Sequence, residues 1–145
     1  MFACLVFLVS ANAFAATVTT TNNDGAGSLR DAIASAASGD TINFNLTYPA
    51  TIILSSPLMI GTNLNIVGPG ASNLAISGGG AARIFSVISG VTATVSGATL
   101  ENGYSAFPDY GGAIYNNGTL TVSNSTIQDN SASSAAASTT LAPSP

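Results

Sequence analysis

The chain has 145 residues, of which 46% are hydrophobic and only 6% are charged. This length suits one domain with a sizeable core, and the apolar fraction excludes a wholly disordered chain. Two basic residues, Arg30 and Arg83, stand against six acidic residues, and the net charge is −4. Because no positive surface can form from two arginines, the composition argues against nucleic acid as a partner.

The amino terminus has the pattern of a secretory signal peptide. An apolar run at residues 2–9 is followed by the small-x-small tripeptide Ala13, Phe14, Ala15, which signal peptidase accepts. We predict that residues 1–15 are a signal peptide, and that the mature protein is secreted, extracellular or held on the bacterial cell surface, including the outer membrane. No basic residue precedes the apolar run, so two alternative interpretations stay open: a start codon placed too late, or a buried structural segment.

The same segment bears on anchoring and on thiol chemistry. Its apolar run is too short to cross a bilayer as a helix, so no permanent membrane span is expected. The only cysteine of the chain, Cys4, lies inside it. After cleavage the chain would have no disulfide and no Cys/His zinc site, and we expect neither a metal nor another cofactor.

The first part of the mature chain predicts a strand and then a helix. Residues 17–21, TVTTT, alternate and are β-branched, as is typical of a strand. Ser28 is predicted to be the N-cap of a helix, with Asp31 in the capping-box position. This helix is expected to run from Leu29 to about Ala37, with a narrow apolar face that covers the amino-terminal end of the fold, and Arg30 is expected to hold it there.

From Thr41 onward the chain consists of short apolar runs bounded by Gly, Asn, Pro or Ser, which predict many short strands. The segment TVSGATLENG at residues 94–103 matches TVSNSTIQDN at residues 121–130 without a gap. The corresponding residues Val95 and Val122 are 27 positions apart. A repeat of this length is typical of a solenoid, and NIVGPG, which begins at Asn65, resembles the same unit at a slightly longer spacing.

A solenoid built from strands alone is a parallel β-helix, and we therefore predict an all-β fold over residues 16–130. In the matched repeats, Val95 should stack on Val122 and Leu100 on Ile127, with the intervening polar residues facing solvent or a turn. Glycine and asparagine would form the tight corners, and stacked asparagines could bond along the column. A β-sandwich also uses short strands, but it does not predict a fixed 27-residue repeat.

Two motifs resemble known bacterial proteins. The hexapeptide GSLRDA at residues 27–32 resembles the Cys-Ser-Leu-Arg-Glu-Ala motif near the amino terminus of secreted β-helix proteins, with Gly27 in place of the cysteine and Asp31 in place of the glutamate. GGAIYNNGTLTVSNSTIQDN at residues 111–130 is similar to the repeats of polymorphic outer-membrane proteins. The resemblance implies a right-handed parallel β-helix that bacteria export, in a family whose members are usually longer and often carry a carboxy-terminal anchor.

Residues 131–145, SASSAAASTTLAPSP, contain no charge and no repeat, and they predict a flexible low-complexity tail. A β-helix that ends before this tail would leave an open carboxy-terminal edge. Truncation of a longer protein is the preferred interpretation, and a short natural product or a subunit that associates with itself through this edge is the alternative.

The chain offers little for catalysis. Parallel β-helices include pectate lyases and polygalacturonases, which need converging carboxylates and, for the lyases, a basic residue. Here the six acidic residues are scattered and there is no His or Lys. Arg83 and Asp109 are the best pair, and we interpret them as a salt bridge. The glycine-rich stretches lack a P-loop lysine and are interpreted as corners. We therefore expect that the protein is not an enzyme.

One segment clusters aromatic and acidic residues, as sugar-binding sites do. It is ENGYSAFPDYGG at residues 101–112, a predicted protruding loop. The candidate ligand-binding residues are Glu101, Tyr104, Asp109 and Tyr110, with Phe107 beside them, unless the rings fold back onto the solenoid. The expected function is adhesion or structural display at the cell surface, with surface glycans or host or other cell-surface proteins as partners. The alternative is a carbohydrate-binding or pectate-lyase-like, polysaccharide-degrading β-helix whose active coils are missing from this chain.

Overall fold

The computed structural model describes residues 15–106 and 108–133, and their regular structure consists of one helix and short strands. The predicted signal peptide, apart from Ala15, and Phe107 lie outside these residues. Helix α1 spans Leu29–Ser35. The strands are β1 Ala15–Val18, β2 Asp40–Phe44, β3 Ala50–Ile53, β4 Leu58–Ile60, β5 Leu64–Val67, β6 Leu74–Ser77, β7 Phe85–Val87, β8 Thr92–Ser96, β9 Thr99–Glu101, β10 Tyr104–Ser105, β11 Ile114–Asn116, β12 Thr119–Ser123, β13 Thr126–Gln128 and β14 Ser131–Ala132.

The strands stack as a β-solenoid of about four turns, which confirms the predicted all-β parallel β-helix. Sheet A has the order β1-β2-β5-β8-β12, sheet B the order β3-β6-β9-β13, and sheet C the order β4-β7-β11. A small sheet D joins β10 to β14. All of the strand pairs in these sheets are parallel. Each coil therefore passes through the sheets in turn and hydrogen-bonds to the coils before and after it.

The predicted register of the repeat is confirmed. Val122 lies beside Val95 in sheet A, and Ile127 lies beside Leu100 in sheet B. Val95 also lies beside Ile66, so the longer spacing expected for the segment that begins at Asn65 is confirmed as well. The strands keep their register while the corners between them change in length, as is usual in solenoids.

The core is a set of apolar columns that run along the solenoid. In sheet A the column contains Ile42, Ile66 and Val95, all without exposed surface. Sheets B and C contribute equivalent columns of fully buried residues: Ile52, Ile76, Leu100, Leu58 and Phe85. Burying a side chain of this size contributes about 1.5–3 kcal/mol. The columns therefore stabilise the stack of coils, and the sheets present their other faces outward.

Helix α1 closes the amino-terminal end of the solenoid, as predicted. It packs against β1 and β4, the first strands of sheets A and C, and it buries Leu29 and Ile33. The hydroxyl of Ser28 accepts a hydrogen bond from the Asp31 amide at 3.1 Å, which confirms the N-cap. The helix ends at Ser35 rather than near Ala37, because the backbone of its C-cap residue, Ala36, is extended.

Arg30 ties this helix to the coil below it. Its guanidinium donates to the carbonyls of Ser56 and Pro57 at 2.7 and 2.9 Å, just before β4. It also donates to the carbonyl and side chain of Asn23 at 3.2 and 3.1 Å. These contacts confirm that Arg30 holds the helix over the first coil, although its partners lie across the fold rather than beside it in the sequence.

The corners use glycine and asparagine in two ways. At one corner Gly97, with φ of +67°, approaches Gly68 in the coil before so closely that a side chain on either residue would collide with the backbone of the other. Asparagine links corners by hydrogen bonds between its side chain and the backbone of the preceding coil. The Asn130 side chain accepts from the Gly103 amide at 2.7 Å and donates to the Leu100 carbonyl at 3.0 Å. The observed asparagine contacts between coils are thus with backbone and with Thr94, rather than the stacked asparagine pairs we expected.

The last described coil is open on one side. Val122 and Ile127 are half-buried, although their counterparts Val95 and Leu100 in the coil before are fully buried. Within residues 15–106 and 108–133, no strand pairs with the outer edges of β12 and β13. Strand β14 lies at the start of the segment predicted to be a tail, and residues 134–145 lie outside the described part.

Candidate binding loop between strands β10 and β11

The loop predicted at residues 101–112 begins later than expected, because Glu101 lies in β9 and residues 104–105 form β10. The loop in the structure is residues 106–113, between β10 and β11. Its start is a turn in which the Asp109 amide donates to the Ala106 carbonyl at 2.9 Å. At its end the Ala113 carbonyl accepts from the amides of both Ile84 and Phe85 at 3.0 Å. Phe107 lies outside the described residues. The loop therefore leaves the solenoid after β10 and is fixed again to the preceding coil where β11 begins.

Arg83 anchors the loop from the coil before it. Its Nε donates to the Gly111 carbonyl at 2.9 Å, and its Nη2 donates to the Tyr110 carbonyl at 2.7 Å. The guanidinium also donates to the hydroxyls of Ser86 and Ser105 at 3.3 and 3.0 Å. Only 11% of the side chain is exposed. A planar fork with several donors suits this task, because it can satisfy carbonyls and hydroxyls that face it from different directions.

The predicted pairing of Arg83 with Asp109 is confirmed as an ion pair, with 3.8 Å between Nη2 and Oδ2. The Asp109 side chain is 72% exposed, so solvent screens the pair and its stabilising contribution is small. The Tyr115 ring lies beneath the guanidinium, with 5.0 Å between the ring centre and Cζ. Arg83 is therefore occupied by structural contacts on several sides, and Asp109 is the accessible member of the pair.

The loop exposes one aromatic ring and one carboxylate. Tyr110 is 55% exposed, and Asp109 precedes it in the chain. Tyr104 lies at the root of the loop in β10, where it is half-buried. The structure thus places three of the four candidate residues on one segment that Arg83 and Ser105 hold to the solenoid.

Glu101 is directed elsewhere. It ends strand β9 in sheet B, and its carboxylate accepts a hydrogen bond from the Gln128 side-chain amide at 3.0 Å in the following coil. That contact links two coils of the stack. The sequence distance between Glu101 and Asp109 is short, but they belong to different elements, so the structure gives Glu101 a bridging role within sheet B.

Tyr115 and Ser105 were not among the predicted site residues. Tyr115 is outward-facing in β11 and contacts Arg83, and the Ser105 hydroxyl accepts from the same guanidinium. Only the stacking of the coils brings them together, so sequence spacing alone gave no signal for them. Within the described part of the chain, no group of three or more His, Cys, Asp or Glu residues could hold a metal ion.

No helix among the described residues is long and apolar enough to cross a membrane. A scan of the chain against protein-family models finds no match. A search of curated protein sequences also finds none that meets the threshold for significance. Function must therefore be inferred from the fold and from the contacts of the described residues.

Proposed function

We propose that the protein is a non-catalytic β-solenoid, secreted or held at the cell surface, that displays the loop at residues 106–113 for adhesion. The observation that carries this proposal is the anchoring of the loop by Arg83, which fixes the Tyr110 and Gly111 carbonyls to the stack while Tyr110 and Asp109 face solvent. Residues 109–111, which these contacts already hold in place, lose little conformational entropy when they bind a partner.

The proposed partners are surface glycans or cell-surface proteins. An exposed tyrosine ring offers a face for stacking on a sugar or an apolar side chain, and a carboxylate accepts hydrogen bonds from hydroxyl groups. Tyr110 and Asp109 provide this combination side by side in the chain. Arg83 lies beneath the loop with its donors engaged, so it acts as the support of the loop.

Binding can be measured on an array of immobilised neutral and acidic glycans and on epithelial monolayers with and without enzymatic removal of surface glycans. We expect that Tyr110→Ala and Asp109→Asn each weaken binding, with the tyrosine costing about 2 kcal/mol as central aromatic contacts do. Val67→Ala is the matched control, because Val67 is 43% exposed in sheet A, away from the loop. Equal binding by all three variants would overturn the assignment of the loop.

The second candidate function is that of a carbohydrate-binding or pectate-lyase-like, polysaccharide-degrading β-helix. The observation that favours it is the exposed Tyr110 ring beside the Asp109 carboxylate, a combination typical of sugar-binding sites. The purified chain would be incubated with polygalacturonate and calcium, and the release of unsaturated oligosaccharides would be followed. We expect no release above that of a heat-denatured sample. Cleavage that disappears in the Asp109→Asn variant would support this second function and refute the non-catalytic proposal.

A further inference from the structure

A polar groove lies at the amino-terminal end of the solenoid, far along the chain from the loop that carries the proposed function. It has a volume of about 630 Å³. One wall is the segment that follows β1, and the other is the corner between β2 and β3 together with the start of β3. The lining residues are Thr19, Thr20, Thr21, Asn45, Leu46, Thr47, Pro49, Ala50 and Thr51.

The groove exists because β1 ends early. The amides of Thr19 and Thr20 both donate to the Gly27 carbonyl, at 2.9 and 3.3 Å, and this turns the chain out of sheet A. The Asn45 amide donates to the Val18 carbonyl at 2.8 Å and keeps the next corner against the end of β1. The first coil therefore bends away after Val18 instead of crossing directly to sheet B.

Strand β3 is the first strand of sheet B, and its outer edge borders the groove. The amides of Ala50 and Leu54 donate to carbonyls of the following coil at 2.8 Å. Since peptide groups alternate between the two sides of a strand, the peptide groups of Thr51 and Ile53 are directed to the other side. Within residues 15–106 and 108–133, no strand pairs with β3 there. The groove thus combines side-chain hydroxyls with the backbone donor and acceptor at Thr51.

The uncharged, mostly hydroxyl-bearing residues that line the groove favour a neutral ligand that forms hydrogen bonds. Five threonines and one asparagine supply donors and acceptors, Leu46, Pro49 and Ala50 supply a small apolar surface, and none of the lining residues carries a charge. Hydroxyl groups can both donate and accept, so they match the hydroxyls of a sugar. The volume lies within the usual range for small-molecule sites, about 300–1,000 Å³.

The groove is too short for an added β-strand. It touches β3 only through Ala50 and Thr51, whereas the corner at residues 45–49 contributes much of its wall. A peptide that extended sheet B would need the whole edge of β3, which reaches Ile53. A compact ligand fits this shape better than an extended peptide.

We propose that this groove is a binding site for a neutral saccharide of one or two sugar units, held by the threonine hydroxyls, the side-chain amide of Asn45 and the edge of β3. This inference goes beyond the display function proposed for the loop at residues 106–113 and does not depend on it. The two sites lie in different coils, so each can be removed without changing the other.

The test uses ¹⁵N-labelled full chain titrated with cellobiose, maltose or chitobiose, and with digalacturonate as the anionic comparator. At least one neutral disaccharide is expected to shift the amide signals of residues 19–21 and 45–51. The Thr47→Val/Thr51→Val variant keeps the side-chain shape and removes two exposed hydroxyls, and it should weaken binding about tenfold, as expected for two lost hydrogen bonds.

Thr121→Val is the matched control, because Thr121 is also exposed but lies in β12 at the other end of the solenoid. Binding should be unchanged in this variant and in Tyr110→Ala. The proposal is overturned if no neutral disaccharide shifts these signals, or if digalacturonate binds as tightly. It is also overturned if the double valine variant binds like the natural chain, or if a Ser/Thr-rich peptide shifts the whole of β3 while the sugars do not.

Discussion

The stacking of the coils predicts that one substitution will have different costs at two equivalent positions. Val95 and Val122 are neighbours on adjacent strands, in the same column of sheet A. Val95 has no exposed surface, whereas Val122 is only half-buried. Val→Ala removes two carbon atoms at either site, so the chemistry of the change is identical and only the environment differs.

At Val95 the lost burial is about 1.6 kcal/mol, from about 0.8 kcal/mol per buried methylene. The cavity that remains between two coils raises the expected cost to roughly 2–3 kcal/mol. At Val122 most of the transfer term still applies, because the residue is only partly exposed. No closed cavity forms there, so we expect a smaller cost of about 1–1.5 kcal/mol. If the coils unfold one after another, the denaturation curve will not fit a single two-state transition.

Urea denaturation followed by far-ultraviolet circular dichroism would measure the free energy of unfolding of both variants. The natural chain and a Ser123→Ala variant serve as references, since Ser123 lies beside Val122 on the outward side of the strand. Equal losses at positions 95 and 122 would refute the inference that Val122 lies in a less enclosed environment than Val95.

Further predictions test the Arg83 contacts, the inward direction of Val122, the cap formed by α1 and the outer edges of β12 and β13. Arg83→Met should lower the free energy of unfolding by roughly 2–3 kcal/mol, because the carbonyls that it satisfies lose their donor, and hydrogen exchange should become faster in residues 109–113. Val122→Asp should cost more than Ser123→Asp in the same denaturation assay, since only the first places a charge in the column. Deletion of residues 28–38 should lower the melting temperature and promote association, measured by light scattering, through the end that α1 covers. We also propose self-association through the outer edges of β12 and β13, so the natural chain should show a concentration-dependent mass in sedimentation, and Val122→Lys should reduce it.

The sequence predicted the solenoid well because a stacked fold repeats its environment. Each inward position must match the position one coil away, so Val95 and Val122 share both chemistry and register. The cap was predictable for a local reason: Ser28 and Asp31 satisfy the first turn of the helix within a few residues. Even Arg30 could be assigned to the cap, although its carbonyl partners before β4 lie in another coil.

Details that depend on contacts between coils could not be read from the sequence. The strand predicted at residues 17–21 is instead β1, Ala15–Val18, because Gly27 draws Thr19 out of the sheet. The proximity of Glu101 to the loop residues in the sequence suggested a common site, yet its carboxylate contacts Gln128 in the next coil. Thr99 was expected to face solvent or a turn, and its buried hydroxyl donates to the Ala71 carbonyl in the corner of the preceding coil, a partner that the sequence alone does not name.

Both proposed sites lie where the chain departs from its own repeat. In a regular coil each strand hydrogen-bonds on both edges and its outward side chains are partly covered by their neighbours, so little is left to recognise a ligand. Between β10 and β11 the chain exposes the Tyr110 ring, and Arg83 of the preceding coil holds the Tyr110 carbonyl. At the first corner the chain turns away after Val18 and leaves the edge of β3 beside a row of threonines. The repeat thus stabilises the solenoid. The two irregular segments, which hydrogen bonds hold against it, provide the exposed groups for binding.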